Sequence, residues 1–266
     1  MLITLPDILS LLSGGLVGFV LGLVGGGGSI IAVPLLLYVV GVADAHVAIG
    51  TSAIAVALSA LANLMNHARS GTVKWPCAMT FSAAGIAGAY AGSTLAMQVP
   101  GQQLLALFGL LMVVVGTVMF LRKDAEGNPD VRLSLGTARQ LLPLLLLTGF
   151  SVGALSGFFG IGGGFLIVPG LMLATGMPIA NAIGTSLVAV AAFGATTAGN
   201  YATAGLVDWH IALVFIGGGM LGGLLGSFAG RRLARRKGQL AMVFASFVII
   251  IGIYVLHKGA APLFAG

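Results

Sequence analysis

The sequence predicts an all-α integral membrane protein of two inverted-topology repeats. Each repeat is a re-entrant or broken helical hairpin plus three transmembrane helices. Three observations carry this prediction. Of the 266 residues, 58% are apolar and only 7% are charged, whereas a soluble domain carries about 25% charged residues. The few charges are confined to short islands. A glycine-rich block near the start recurs after the midpoint. The composition also argues against disorder, which needs low hydrophobicity. Cys77 is the only cysteine, so a disulfide scaffold is excluded.

Taken in order, apolar segments lie near 8–24, 29–41, 47–66, 77–97 and 103–121, and then near 140–159, 164–176, 182–201, 210–230 and 239–257. The polar stretch 122–138, opening Arg122-Lys123-Asp124-Ala125-Glu126-Gly127-Asn128-Pro129-Asp130, reads as a linker. The chain therefore divides into a first repeat (1–121), a cytoplasmic linker (122–138) and a second repeat (139–266). Met1–Asp7 carries no Lys or Arg and so lacks the charged start of a signal peptide.

The two halves align residue by residue. Gly18, Gly22, Gly25, Gly27, Gly28 and Pro34 recur 135 positions later as Gly153, Gly157, Gly160, Gly162, Gly163 and Pro169. Beyond a one-residue gap the offset is 134, and Ile49-Gly50-Thr51-Ser52 returns as Ile183-Gly184-Thr185-Ser186. Asn66, Gly71, Val73 and Trp75 return as Asn200, Gly205, Val207 and Trp209. Gly85, Gly88, Gly92 and Ser93 return as Gly219, Gly222, Gly226 and Ser227.

Charge sets the expected orientation. The islands Arg69/Lys74, Arg122–Arg139 and Arg231–Lys237 hold 11 of the 12 Lys and Arg residues. The positive-inside rule makes all three cytoplasmic and both termini external, in a multi-pass protein of the cell inner membrane. The loop after the third segment is basic in the first repeat but carries Asp208 in the second. The loop after the fourth is neutral in the first (Met97–Gly101) and basic in the second. Such reversal requires an odd number of crossings per repeat, so the first two segments of each must form a returning hairpin. The second arms, 29–40 and 164–175, would be helices about 18 Å long at 1.5 Å per residue, short of the roughly 30 Å hydrocarbon core. Interrupted helices in inverted repeats that meet near the midplane are a recurring design of secondary transporters.

The hairpin turns, Gly25-Gly26-Gly27-Gly28-Ser29 and Gly160-Ile161-Gly162-Gly163-Gly164, each open a short helix. Free N–H groups and the positive dipole end there suit an anion, and glycine admits close backbone approach. Tight packing by small residues is the competing explanation. The expected substrate-binding set is Gly27, Gly28, Ser29, Thr51, Ser52, Asn66, Gly162, Gly163, Gly164, Thr185, Ser186 and Asn200. The Thr and Ser hydroxyls could instead cap helices, and the amides, with Asn63, could hydrogen-bond between helices. Trp75 and Trp209 fit interfacial belts. His46 and His210 lie at segment ends, and the Gly85 and Gly219 series read as helix-contact faces.

The doubled Gly-x3-Gly-x2-Gly-x-Gly-Gly-x5-Pro, each copy followed by Ile-Gly-Thr-Ser, resembles the sulfite exporter TauE/SafE family of membrane permeases. The resemblance spans about Leu12 to Leu256; Gly26 standing opposite Ile161 is a minor departure. It implies transport of sulfite, thiosulfate or organosulfonates, with export as the expected direction. Transport of another small anion and cation-coupled uptake are the alternatives. An enzyme would need placed acids, bases or metal ligands, and the apolar spans offer none. No catalytic residue, metal site, cofactor or nucleic-acid partner is expected; the partners are a small anion and the lipid bilayer.

Overall fold

The computed structural model describes residues 4–24, 26–121, 135–232 and 237–264, and among these the regular elements are all helical. They are α1 (Leu5–Val24), an irregular arm α2 (26–40), α3 (Ala45–Arg69), α4 (Trp75–Ala96), α5 (Gly101–Leu121), α6 (Leu135–Phe159), α7 (Gly164–Thr175), α8 (Ile179–Thr203), α9 (Trp209–Arg232) and α10 (Lys237–Phe264). Among the described residues, α1, α3, α5, α6, α8 and α9 are each long and apolar enough to cross a membrane. The first hairpin arms, α1 and α6, thus have the length and apolarity of spans. In α4 the many Ala, Gly and Ser residues dilute apolarity without shortening the helix. Residues 122–134 of the expected linker, Gly25 of the first tip and 233–236 of the last basic island lie outside the described residues. Residues 135–138 belong to α6 rather than to the linker.

The arm expected as a regular helix over 29–40 is wound in three ways. It is a 3-10 helix over Gly26–Ile31, α-helical over Ala32–Leu35 and π-helical over Leu36–Val40. Pro34 lacks an N–H and cannot serve the carbonyl four residues back, and the glycines before it do little to hold one winding. Its counterpart α7 keeps α-helical form across Pro169 and has the expected bounds. Both arms end on a left-handed glycine, Gly41 (φ 88°) and Gly176 (φ 68°), 135 positions apart.

With no hydrophobic drive between helices in lipid, close backbone packing has to hold them together. In α1, Gly14, Gly18 and Gly22 sit against Phe215, Gly219 and Gly223 of α9. In α6, Gly149, Gly153 and Gly157 sit against Phe81, Gly85 and Ala89 of α4. The second set is the first carried through the repeat offsets. Both series ascend together, so α1 runs with α9 and α6 with α4. The expected Gly85/Gly88/Gly92 and Gly219/Gly222/Gly226 contact faces are these seams. Gly109 lies against Leu256 and Gly116 against Ile249, so α5 and α10 run antiparallel.

Two hydrogen bonds orient the central pair. Thr51, near the start of α3, accepts from the Asp208 N–H just beyond α8, and Thr185, near the start of α8, accepts from the Lys74 N–H just beyond α3, each at 3.0 Å. Helices α3 and α8 are therefore antiparallel. Following the chain through these pairings puts the 70–74 turn and the helix ends flanking 122–134 and 233–236 on one side. The start of α1, the 41–44 and 97–100 turns, the 204–208 turn and the end of α10 lie on the other. It follows that α1 and α6 run in opposite directions.

Candidate functional site

The second tip is the better defined. Gly160, Gly162 and Gly163 adopt φ of 66°, 60° and 68°, a left-handed run that only glycine takes without strain. Gly163 caps α7, and its carbonyl accepts from the Leu166 and Ile167 N–H groups, both at 2.8 Å. Helix geometry leaves the Gly164 and Phe165 N–H groups without an intrahelical carbonyl. The tip reaches the centre of the α3–α8 pair: a Cβ on Gly162 would lie 3.0 Å from Val56 and 3.5 Å from Val190. Each of these valines is the twelfth residue of a 25-residue helix. Gly162 therefore stands at mid-height, where a partly spanning hairpin has to end.

At the first tip, Gly27 lies in the 3-10 segment and Gly28 and Ser29 are buried. A Cβ on Gly28 would meet the Leu21 N at 2.5 Å and the Val17 O at 2.6 Å, so this glycine is pressed onto the backbone of α1. Close packing alone accounts for Gly28. At the equivalent place in the second tip, Gly163 abuts a side chain, Ser156, whose Cβ and Oγ would both lie 2.6 Å from an added methyl. The two arms, α2 and α7, also pack against each other.

The remaining expected residues separate by role. The Thr51 and Thr185 hydroxyls are engaged with Asp208 and Lys74 N–H and hold the loops before α9 and α4. Ser52 donates to the Ile49 carbonyl at 2.9 Å, with a longer reach of 3.4 Å to the Gly160 carbonyl. Ser186 donates to the Ile183 carbonyl at 2.8 Å. Ser52 is thus the hydroxyl of this group that touches a tip. Asn200 donates to Ser93 Oγ at 2.8 Å and Thr94 Oγ1 at 2.9 Å, joining α8 to α4. Asn66 is half-buried near the far end of α3, well away from Gly162. Asn63 donates to the Ser59 carbonyl within its own helix. Trp75 and Trp209 are exposed at the starts of α4 and α9, on opposite sides. His210 pairs with Asp7 at 2.7 Å on the surface. His46 lies at the start of α3; its Nδ1 is buried with no hydrogen-bond partner among the described residues, and its ring is 6.3 Å from that of Tyr201.

Sequence reasoning passed over Ser156. It is fully buried, and its hydroxyl has no hydrogen-bond partner among the described residues. The one available signal was the alignment of the repeats, which sets Ser156 opposite Leu21. Among the described residues no three His, Cys, Asp or Glu side chains gather to hold a metal ion.

The profile described as Sulfite exporter TauE/SafE matches residues 10–255. A "probable membrane transporter protein" of Xylella fastidiosa strain Temecula1 is 52% identical over 254 residues, covering 95% of this chain and 96% of its own. The "probable membrane transporter protein YunE" of Bacillus subtilis is 26% identical over 261 residues, 91% of this chain and 94% of its own. One from Methanocaldococcus jannaschii, MJ0441, is 24% identical over 259 residues, 91% and 93%. No solved structure matches the chain significantly.

Proposed function

The chain belongs to the sulfite exporter TauE/SafE family, whose members are membrane transporters and not enzymes, and on that premise we propose that it carries small sulfur-containing oxyanions. Sulfite, thiosulfate and organosulfonates are the candidates. The anion is held by backbone N–H groups at the glycine tips, and the physiological direction is export across the cell inner membrane. The two halves work as inverted repeats, with the basic islands cytoplasmic and both termini outside.

The observation that carries this reading is the position of Gly162, between Val56 and Val190 at mid-height of two antiparallel helices. A helix start there offers N–H donors and a positive dipole end, which together favour an anion. A cation would call for carboxylates at the same depth, and the described spans offer none near the tip. Gly164, Phe165 and Ser52 are buried, so loading and release require the hairpins to shift against α3 and α8.

The test is flux into and out of proteoliposomes with sulfite, thiosulfate, sulfate and methanesulfonate in parallel. Saturable flux of at least one sulfur oxyanion is expected. Saturable flux of cations with none for any of the four anions would refute the reading.

A further inference from the structure

Many buried hydroxyls on the described helices return their proton to a carbonyl one turn back. Ser52, Ser93, Ser186 and Ser227 do so to Ile49, Tyr90, Ile183 and Leu224, at 2.8–3.0 Å. Ser10, Ser82, Ser156 and Thr197, by contrast, have no hydrogen-bond partner among the described residues, and of these four Ser156 is the one that abuts a glycine tip. Ser156 is fully buried in the last turn of α6 and makes no such bond. An unmet hydroxyl in a water-poor interior is costly, and such groups in native structures call for an explanation. The side chain stands against the left-handed Gly163 cap of α7. It thus adjoins the helix start whose Gly164 and Phe165 N–H groups lack intrahelical acceptors.

We infer that the two tips are not equivalent, and that the anion is bound at the second, by the Ser156 hydroxyl together with the first N–H groups of α7. The inference rests on the anion-transport reading and deepens it. In the first half the equivalent position is Leu21, which is buried and whose backbone lies directly under Gly28. That tip offers no hydroxyl at the matching place, and its arm begins as a 3-10 segment rather than an α-helix. The first tip's own hydroxyl, Ser29, is buried and already has a partner, so the inverted pair gives a single off-axis site. Such a site suits a tetrahedral or pyramidal oxyanion, which has a few acceptor oxygens and one distinct substituent.

The experiment compares purified wild type with Ser156→Ala and Ser156→Cys in detergent. Ligand-induced thermal shift is titrated with thiosulfate, sulfite and methanesulfonate, and the same anions are used for flux in proteoliposomes. Loss of a hydrogen bond to a charged ligand raises the half-saturating concentration roughly 10- to 150-fold. That rise is expected for Ser156→Ala, while its ligand-free melting temperature stays equal to or above wild type because an unmet hydroxyl has gone. Ser156→Cys, a weak donor, falls between the two. If wild type responds and Ser156→Ala responds at the same concentration, this inference fails while the transport reading stands. A lower ligand-free melting temperature with unchanged affinity assigns Ser156 to packing and also overturns it. If wild type shows neither shift nor flux with any of the three anions, the underlying reading fails as well.

Discussion

Replacing Thr51 and Thr185 by Val, singly and together, separates a loop-holding role from a ligand-binding one. Valine keeps the shape of threonine and removes the acceptor. Each change strands one backbone N–H, that of Asp208 or of Lys74, now bonded at 3.0 Å. Leaving a buried donor unmet costs about 1–3 kcal/mol; both donors are on half-buried loop residues, so the lower end, about 1 kcal/mol, applies. In a chain of this size that lowers the melting temperature by about 2–4 °C. The two bonds lie at opposite ends of α3, separated by about 27 Å at 1.5 Å per residue, so their effects should add. The double variant should therefore melt about 4–8 °C below wild type. Anion affinity should change less than twofold in each, since each hydroxyl is turned to the loop N–H it holds rather than to a glycine tip. Thermal unfolding of purified protein, with and without thiosulfate, measures both quantities. A tenfold loss of affinity in Thr51→Val with an unchanged ligand-free melting temperature would refute the reasoning and return that hydroxyl to the substrate.

Three further outcomes are expected. Gly222→Ala places a methyl 2.7 Å from the Gly15 carbonyl carbon; backbone cannot give way, so the α1–α9 seam should lose about 1–3 kcal/mol. Gly199→Ala, on an exposed face of α8 with open space around it, should gain about 0.4–1 kcal/mol, and equal melting of the two variants would discredit the seam. An impermeant maleimide applied to intact cells should label Gln98→Cys and not Ser70→Cys, with Cys77 shielded by burial; the reverse pattern would invert the proposed orientation. Efflux from proteoliposomes at equal pH should follow a valinomycin-set potential, since a negative interior drives an anion outward by about 2.3 kcal/mol per charge per 100 mV. Flux that ignores the potential and follows a proton gradient would replace this with proton coupling.

Much of the architecture was determined by the sequence alone, because a bilayer leaves few ways to satisfy a backbone. Charge starvation forced membrane helices. The repeat offsets of 135 and 134 matched segment to segment, and the bounds of α7 followed from its flanking glycines. The helix-contact role of Gly85 and Gly219 was likewise legible, since small residues at helical spacing allow backbones to approach. What a residue's neighbours would be was not. Gly28 and Gly163 are equivalent in sequence, yet one rests on the backbone of α1 and the other on the Ser156 side chain. Thr51 and Ser52 are adjacent, yet one holds a loop across 157 positions and the other reaches a tip carbonyl. The winding of α2 away from an α-helix also depended on context, since Pro169 sits in a regular helix and Pro34 does not. Local pattern fixes which face of a helix is small, apolar or polar. Which surface that face meets is decided only when the two halves interlock, because the long arm of each hairpin runs along a helix of the other half, α1 on α9 and α6 on α4.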